Sequence, residues 1–269
     1  MLDNIKSIYI LKTIIQNLSK RKYLHLIIHN KNLQNKLNIS IDTYAKYYNQ
    51  IEIEIIPDKN KRNKNEFIYI MDEEDKSFYH IYFNEEKEEI KRNYFTKDED
   101  ISKIKILIDM EVKSIKGLFD ECYCIKEIKF IKFNRIDFNN YKSMFYFCLN
   151  LINIDIKKLK TNNVEIMDNM FHSCESLEKL DLSNFVTDKV KTMRYMFESC
   201  SSLKELNISN FKFNKSTDVE YMFNYCSKGL KNEIKNKCPD INDDAFDDEI
   251  EVVVEDSIDS YCHDDNDDI

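Results

Sequence analysis

Apolar residues in the central stretch of this chain recur with a period of 26. Phe119, Phe145, Phe171, Phe197 and Phe223 are evenly spaced, and each is followed three positions later by a cysteine: Cys122, Cys148, Cys174, Cys200 and Cys226. In register from Val112 the copies read VKSIKGLFDECYCIKEIKFIKFNRID, FNNYKSMFYFCLNLINIDIKKLKTNN, VEIMDNMFHSCESLEKLDLSNFVTDK, VKTMRYMFESCSSLKELNISNFKFNK and a shorter STDVEYMFNYCSKGL. Within the third copy, Val164, Met167, Met170, Phe171 and Cys174 fall at spacings that share one face of a helix. Leu177, Leu180 and Leu182 follow as LxxLxL, alternating with Lys179, Asp181 and Ser183 as along a half-buried strand. Each copy is therefore expected to form a helix, a turn, a short strand and a loop through Asn184 and Phe185. Neither element can bury its face alone, so the copies should stack, with strands in a parallel sheet and helices on the opposite wall. The expected fold class is an α/β repeat solenoid over residues 101–238.

The flanks have other rhythms. In residues 1–50, Ile5, Ile8, Leu11, Ile15 and Leu18 share one helical stripe, and further helices are predicted from about Arg21 to Leu37 and from Asp42 to Tyr48. Residues 51–100 change to period two in IEIEII from Ile51, FIYIM from Phe67 and FYHIYF from Phe78, which predicts a small antiparallel β module. Ile104, Ile106 and Ile108 read as a strand capping the stack, while Leu230, Ile234 and Cys238 read as a terminal helix closing its other end. Residues 239–269 hold 14 Asp and Glu and no Lys or Arg, so they are expected to be a disordered acidic tail.

The string MFxxCxSLxxLxLSNFxT stands here as MFHSCESLEKLDLSNFVT from Met170 and MFESCSSLKELNISNFKF from Met196. It resembles the BspA-like leucine-rich repeats over about residues 112–226. That resemblance implies a leucine-rich-repeat solenoid used for binding, often displayed on cell surfaces. A second resemblance lies in ILKTIIQNLSKRKYLHLIIHNKNL, where Ile10, Leu11, Ile14, Ile15, Leu18, Leu24, Leu26, Ile27 and the closing Asn30-Lys31-x-Leu33 echo the F-box. The Leu-Pro opening of that motif is missing. F-box modules commonly precede leucine-rich repeats in substrate receptors of cullin-type ubiquitin ligases.

Composition narrows the chemistry. The chain has two glycines, and no GxGxxG or GxxxxGK[ST] string occurs, so no phosphate-cradling loop is expected. The apolar start carries charges and lacks a small-residue cleavage site, and no run of about 18 uncharged apolar residues appears. An intracellular, cytoplasmic protein is expected, with no membrane partner. In a reducing compartment the repeated cysteines would be buried free thiols. The net charge of -9 resides in the tail and leaves the body near +5, which does not suggest a nucleic-acid partner.

Five histidines offer little. His25 and His29 lie four apart with no glutamate between them as HExxH requires, and His172 occupies a position that varies among copies and is expected to be exposed. Cys122 and Cys124 lack a second pair at zinc spacing. In the tail, Asp240, Asn242, Asp244 and Glu251 have calcium-loop spacing, but Ala245 stands where that loop needs glycine. Ile250, Val252 and Val253 with flanking acids resemble a SUMO-interacting stretch. No cofactor, metal or catalytic group is expected.

The function expected is a non-catalytic scaffold that binds a protein or peptide partner on the exposed strand face. In register that face holds Glu127, Lys129, Asn153, Asp155, Lys157, Lys179, Asp181, Ser183, Glu205, Asn207 and Ser209. The alternative is an F-box-like substrate receptor that reaches a cullin-ligase adaptor through residues 1–50.

Overall fold

A computed structural model describes residues 30–37, 41–58, 66–96 and 99–247. Two short helices come first, α1 (Lys31–Leu37) and α2 (Ile41–Asn49), followed by strand β1 (Ile51–Pro57). Asn30 opens α1 by accepting the Leu33 amide on its side-chain oxygen at 3.0 Å, a cap that satisfies one orphan donor. Strands β2 (Tyr79–Phe83), β3 (Ile104–Ile108) and β4 (Ile125–Lys132) follow, then three-residue strands β5 (Asn153–Asp155), β6 (Lys179–Asp181) and β7 (Glu205–Asn207). Helix α3 (Lys228–Lys237) and a 3-10 turn at Asp243–Phe246 end the described chain.

The larger sheet has the order β2-β3-β1-β4-β5, with every pairing antiparallel except β4 with β5; β6 and β7 form a separate parallel pair. Alternation sets its two faces. In β1, Ile51, Ile53 and Ile55 are fully buried while Glu52 and Glu54 face out toward Lys105 and Lys103, at 2.7 and 2.8 Å. The antiparallel strands of residues 51–108 are thus continuous with the first repeat. The strand beside that repeat is β1 and not Ile104–Ile108, which lies one place further out. Both sequences alternate, so only the pairing register, Ile53 with Phe130 and Ile55 with Ile128, separates them.

Within the repeat copies, the segments read as helices are not helical. Each is a run of turns closed by i to i+3 bonds, such as Met170 N to Met167 O and Cys174 N to Phe171 O. Alternate amides, those of Met167, Asn169, Phe171 and Ser173, donate 25 residues ahead to Thr192, Arg194, Met196 and Glu198. The neighbouring copies repeat this from Tyr141 and from Met193. Asn169 and Ser173 have φ of 56° and 55°, and the equivalent Ser143, Phe147, Tyr195, Ser199, Tyr221 and Tyr225 are also left-handed. Such residues cost roughly 1–2 kcal/mol each relative to right-handed backbone, offset here by the amide bonds between copies. An α-helix would spend those amides within its own segment. The chain is therefore mostly strand and turn, with few helices and a mixed sheet. This overturns the parallel helix–strand leucine-rich-repeat solenoid expected from the sequence.

Between the turn wall and the strands runs the core. Phe119, Phe145, Phe171, Phe197 and Phe223 stack ring on ring, 5.2–5.8 Å apart and within 17° of parallel. Beside them Cys148, Cys174, Cys200 and Cys226 each donate Sγ–H to the carbonyl of the phenylalanine in the preceding copy, at 3.0–3.3 Å. Leu177, Leu180 and Leu182 are buried as the LxxLxL pattern implies. The ladder does not stop at the fifth copy. Phe246 stacks on Phe223 at 5.4 Å, Ala245 is fully buried, and the Tyr221 and Phe223 amides donate to Asp244 and Ala245. The acidic tail expected to begin at residue 239 is packed as far as residue 247, because Ile241, Ala245 and Phe246 give this stretch an apolar face.

Candidate functional site

The strand face forms a groove of about 960 Å³. The sequence-expected Glu127, Lys129, Asn153, Asp155, Lys157, Lys179, Asp181, Glu205 and Asn207 all line it. Ser183 and Ser209 do not. They lie just past the strands, where their amides donate to the Asp181 and Asn207 side-chain oxygens at 3.1 and 3.2 Å. The Lys157 amide reaches Asp155 in the same way at 3.3 Å. These are Asx turns, so the acceptor recurring at residues 155, 181 and 207 ends each strand as well as colouring the groove.

Four further lining residues come from elements outside the repeat pattern. Glu54 and Ile56 enter from β1 at one end, and Glu233 and Lys237 from α3 at the other. Alternation along β1 points to the first pair once β1 is placed beside β4. No signal in the sequence brings α3 to the far rim.

Charges along the face pair across copies. Lys179 Nζ lies 2.6 Å from Glu205, and Asn207 donates to Asp181 at 3.0 Å. The bond to Glu205 raises the Lys179 pKa, while bonds from Ser183, chiefly, hold Asp181 below the usual carboxylate range. Both side chains thus stay charged through the neutral range. Each is well exposed, so solvent screening leaves such pairs with little to contribute to stability. What the arrangement supplies is a preset alternation of sign, with acidic and basic groups held at the spacing of the copies.

The turn wall carries a different set. His172, expected to be exposed, is instead half-buried. Its ring stacks on Tyr146 at 4.8 Å, and Nδ1 lies 2.8 Å from Glu198 Oε2. Glu198 in turn accepts from Asn224 at 2.6 Å. The position that varies among copies is thus a column whose members meet their neighbours 26 residues away. At its head Asp120 has a buried Oδ1 with no hydrogen-bond partner. Burial, with Glu121 adding to it, lifts the Asp120 carboxyl to about 6.

A third polar cluster lies in the antiparallel strands. His80 on β2 is clamped between Glu89 and Asp109, at 2.9 and 3.0 Å, and Gln50 donates to the other oxygen of Asp109 at 2.8 Å. Partial burial alone would lower the His80 pKa, but the bonds to Asp109 and Glu89 outweigh it and the net shift is upward. Among the described residues, no three His, Cys, Asp or Glu side chains come together in a way that could hold a metal ion. Asp240, Asn242 and Asp244 lie around the closing 3-10 turn, where Asn242 accepts the Asp244 amide; Glu251 lies outside the described residues, as do the Ile250–Val253 stretch and most of the F-box-like segment.

Residues 113–236 match a family model described as a Mycoplasma protein of unknown function, DUF285. The match spans the repeat copies and α3, just under half of the chain. No curated protein and no solved structure matches. The family finding supports a repeat protein, and it replaces both resemblances read from the sequence, since neither a leucine-rich-repeat nor an F-box assignment has support. Among the described residues no helix is long and apolar enough to cross a membrane.

Proposed function

We propose that the protein is a non-catalytic binding module whose strand groove receives a protein or peptide partner. The observation that carries this reading is the groove itself: about 960 Å³, running from β1 over β4 to β7 and on to α3, and lined at repeat spacing by side chains of both signs. A partner with its own alternation of charge would meet complementary groups copy by copy, which favours specificity more than raw affinity. A phosphate backbone would meet Glu54, Glu127, Asp155, Asp181, Glu205 and Glu233 and be repelled. We also place the protein in a reducing, intracellular compartment. The cysteine column supports that setting, since each thiol is buried and engaged with a backbone carbonyl.

The test is affinity capture from the source cell, followed by direct binding of the retrieved partner to the purified chain. Lys179→Glu with Asp181→Lys, compared at unchanged far-UV circular dichroism because Asp181 also accepts from the Ser183 amide and from Asn207, should weaken binding about tenfold or more, the scale of a buried or rim charge mismatch. Equal binding by the double variant and the wild type would sink the reading.

A further inference from the structure

The two walls of the repeat region do not end together. On the turn wall a sixth rung is present, with Phe246 stacked on Phe223, but among the described residues no strand follows β7. Its place, 26 residues after β7 at 231–233, lies inside α3. On β6 the Glu178 carbonyl accepts the Lys204 amide and the Leu182 amide donates to the Asn207 carbonyl, both at 2.9 Å. The groups one copy on, the Lys204 carbonyl and the Ile208 amide, point away from β6 and have no backbone partner among the described residues, nor do the Leu206 amide and carbonyl between them. The Leu230 amide, which stands where the sixth copy would reach Lys204, caps α3 on Ser227 Oγ at 3.2 Å instead. A helix spends its amides internally, so α3 closes the core through Leu230 and Ile234 without pairing the β7 edge. A pocket of about 590 Å³ lies at that edge, between Leu206–Ser209 on one side and Ile234, Lys237 and Cys238 on the other, with Phe211 and Phe213 in its lining.

We propose that this pocket takes an extended segment of a partner protein as a further strand, parallel to β7. Four outward backbone groups, of Lys204, Leu206 and Ile208, supply the ladder, and main-chain bonds of this kind carry the affinity of strand addition. The preceding pair sets the chemistry of the occupant. In β6 a lysine stands beside Glu205, a leucine beside Leu206 and an aspartate beside Asn207; Lys179 lies 2.6 Å from Glu205, and Asp181 accepts from Asn207 at 3.0 Å. A basic residue, then Leu or Ile, then Asp or Asn meets the same groups on the open side. Alternation turns the middle side chain to the same face as Leu206, toward the apolar lining of Phe211, Phe213 and Ile234. Leu206, Asn207 and Lys237 also line the strand groove, so the added strand lengthens that face by one copy. The inference stands whatever the groove itself binds.

The test uses the full chain and a capped, fluorescently labelled peptide, SLEKLDLSNF, the sequence of residues 176–185. Anisotropy should show saturable binding with a dissociation constant below about 1 mM, and a scrambled peptide of the same composition should not bind. N-methylation of the Lys and Asp amides of its KLD, which face β7 in a parallel pairing, should weaken binding about tenfold or more. N-methylation of the Leu amide between them, which faces away, should leave binding unchanged. By NMR, bound peptide should slow hydrogen exchange of the Leu206 and Ile208 amides. No saturable binding, N-methyl peptides that rank alike or in the reverse order, no slowing at Leu206 and Ile208, or a dimer of the free chain that already protects these two amides would each overturn the proposal.

Discussion

Phe171→Ala should be among the most damaging single substitutions in this protein, and its size follows from the ladder. The ring is fully buried and lies between Phe145 at 5.2 Å and Phe197 at 5.8 Å, both nearly parallel to it. Truncating a buried phenylalanine costs about 3–5 kcal/mol in lost transfer and residual cavity. Loss of two stacking partners, about 0.5–1.5 kcal/mol each where not already counted, places this site near the top of that range. For a chain of this size the melting temperature should fall by about 10–15 °C, at roughly 2–4 °C per kcal/mol. Phe246→Ala removes an end rung with one ring neighbour and 7% exposure, so it should cost about half as much, near 2 kcal/mol. Phe171→Leu fills most of the space and should cost about 1–1.5 kcal/mol. Urea unfolding followed by far-UV circular dichroism measures all three, and the midpoints are comparable only if the slope is constant. A cost below about 1.5 kcal/mol for Phe171→Ala, or an equal cost at Phe171 and Phe246, would refute the idea of a continuous stack in which interior rungs have two neighbours.

Three further outcomes are expected. Cys148, Cys174 and Cys200 should resist thiol reagents without denaturant, since burial raises each thiol's pKa and the Sγ–H is bonded to a carbonyl; rapid labelling of all three would contradict the core. His80 has a folded-state pKa above its unfolded one, so its stabilisation is full below about pH 6.5 and is lost as pH rises through the folded value; melting curves between pH 5 and 8.5 should show a loss that His80→Gln removes. Ending the chain at residue 239 should lower the melting temperature by several degrees because Ile241, Ala245 and Phe246 leave with it; an unchanged value would mean that the sixth rung contributes nothing.

Much of this architecture could be read from residue spacing, and the failures have physical causes. The period of 26, the buried Phe and Cys positions and the outward Lys179 and Asp181 all follow from pattern, because burial repeats wherever the environment does. Helix and turn could not be separated at Met167–Cys174, since consecutive turns with i to i+3 bonds repeat every three residues and bring the same side chains inward. The difference lies in where the amides donate, and no side chain records that. The left-handed positions give little warning either: the first copy has Gly117 and Glu121 there, but the later copies fill them with Ser, Asn, Tyr and Phe. Phe246 was hidden by the acidic residues around it. At the strand groove, nine of the eleven expected residues come together, while Glu54, Ile56, Glu233 and Lys237 were missed because distant elements deliver them.

Hydrogen exchange of the full chain, with and without a partner retrieved by affinity capture, tests the central claim most directly. If the strand groove is the working surface, bound partner should slow exchange in stretches that recur every 26 residues, at 127–129, 153–157, 179–183 and 205–209, and leave the turn-wall amides of residues 143–147, 169–173 and 195–199 unchanged. Protection confined to the turn wall, with the four strand stretches exchanging as in the free protein, would contradict it.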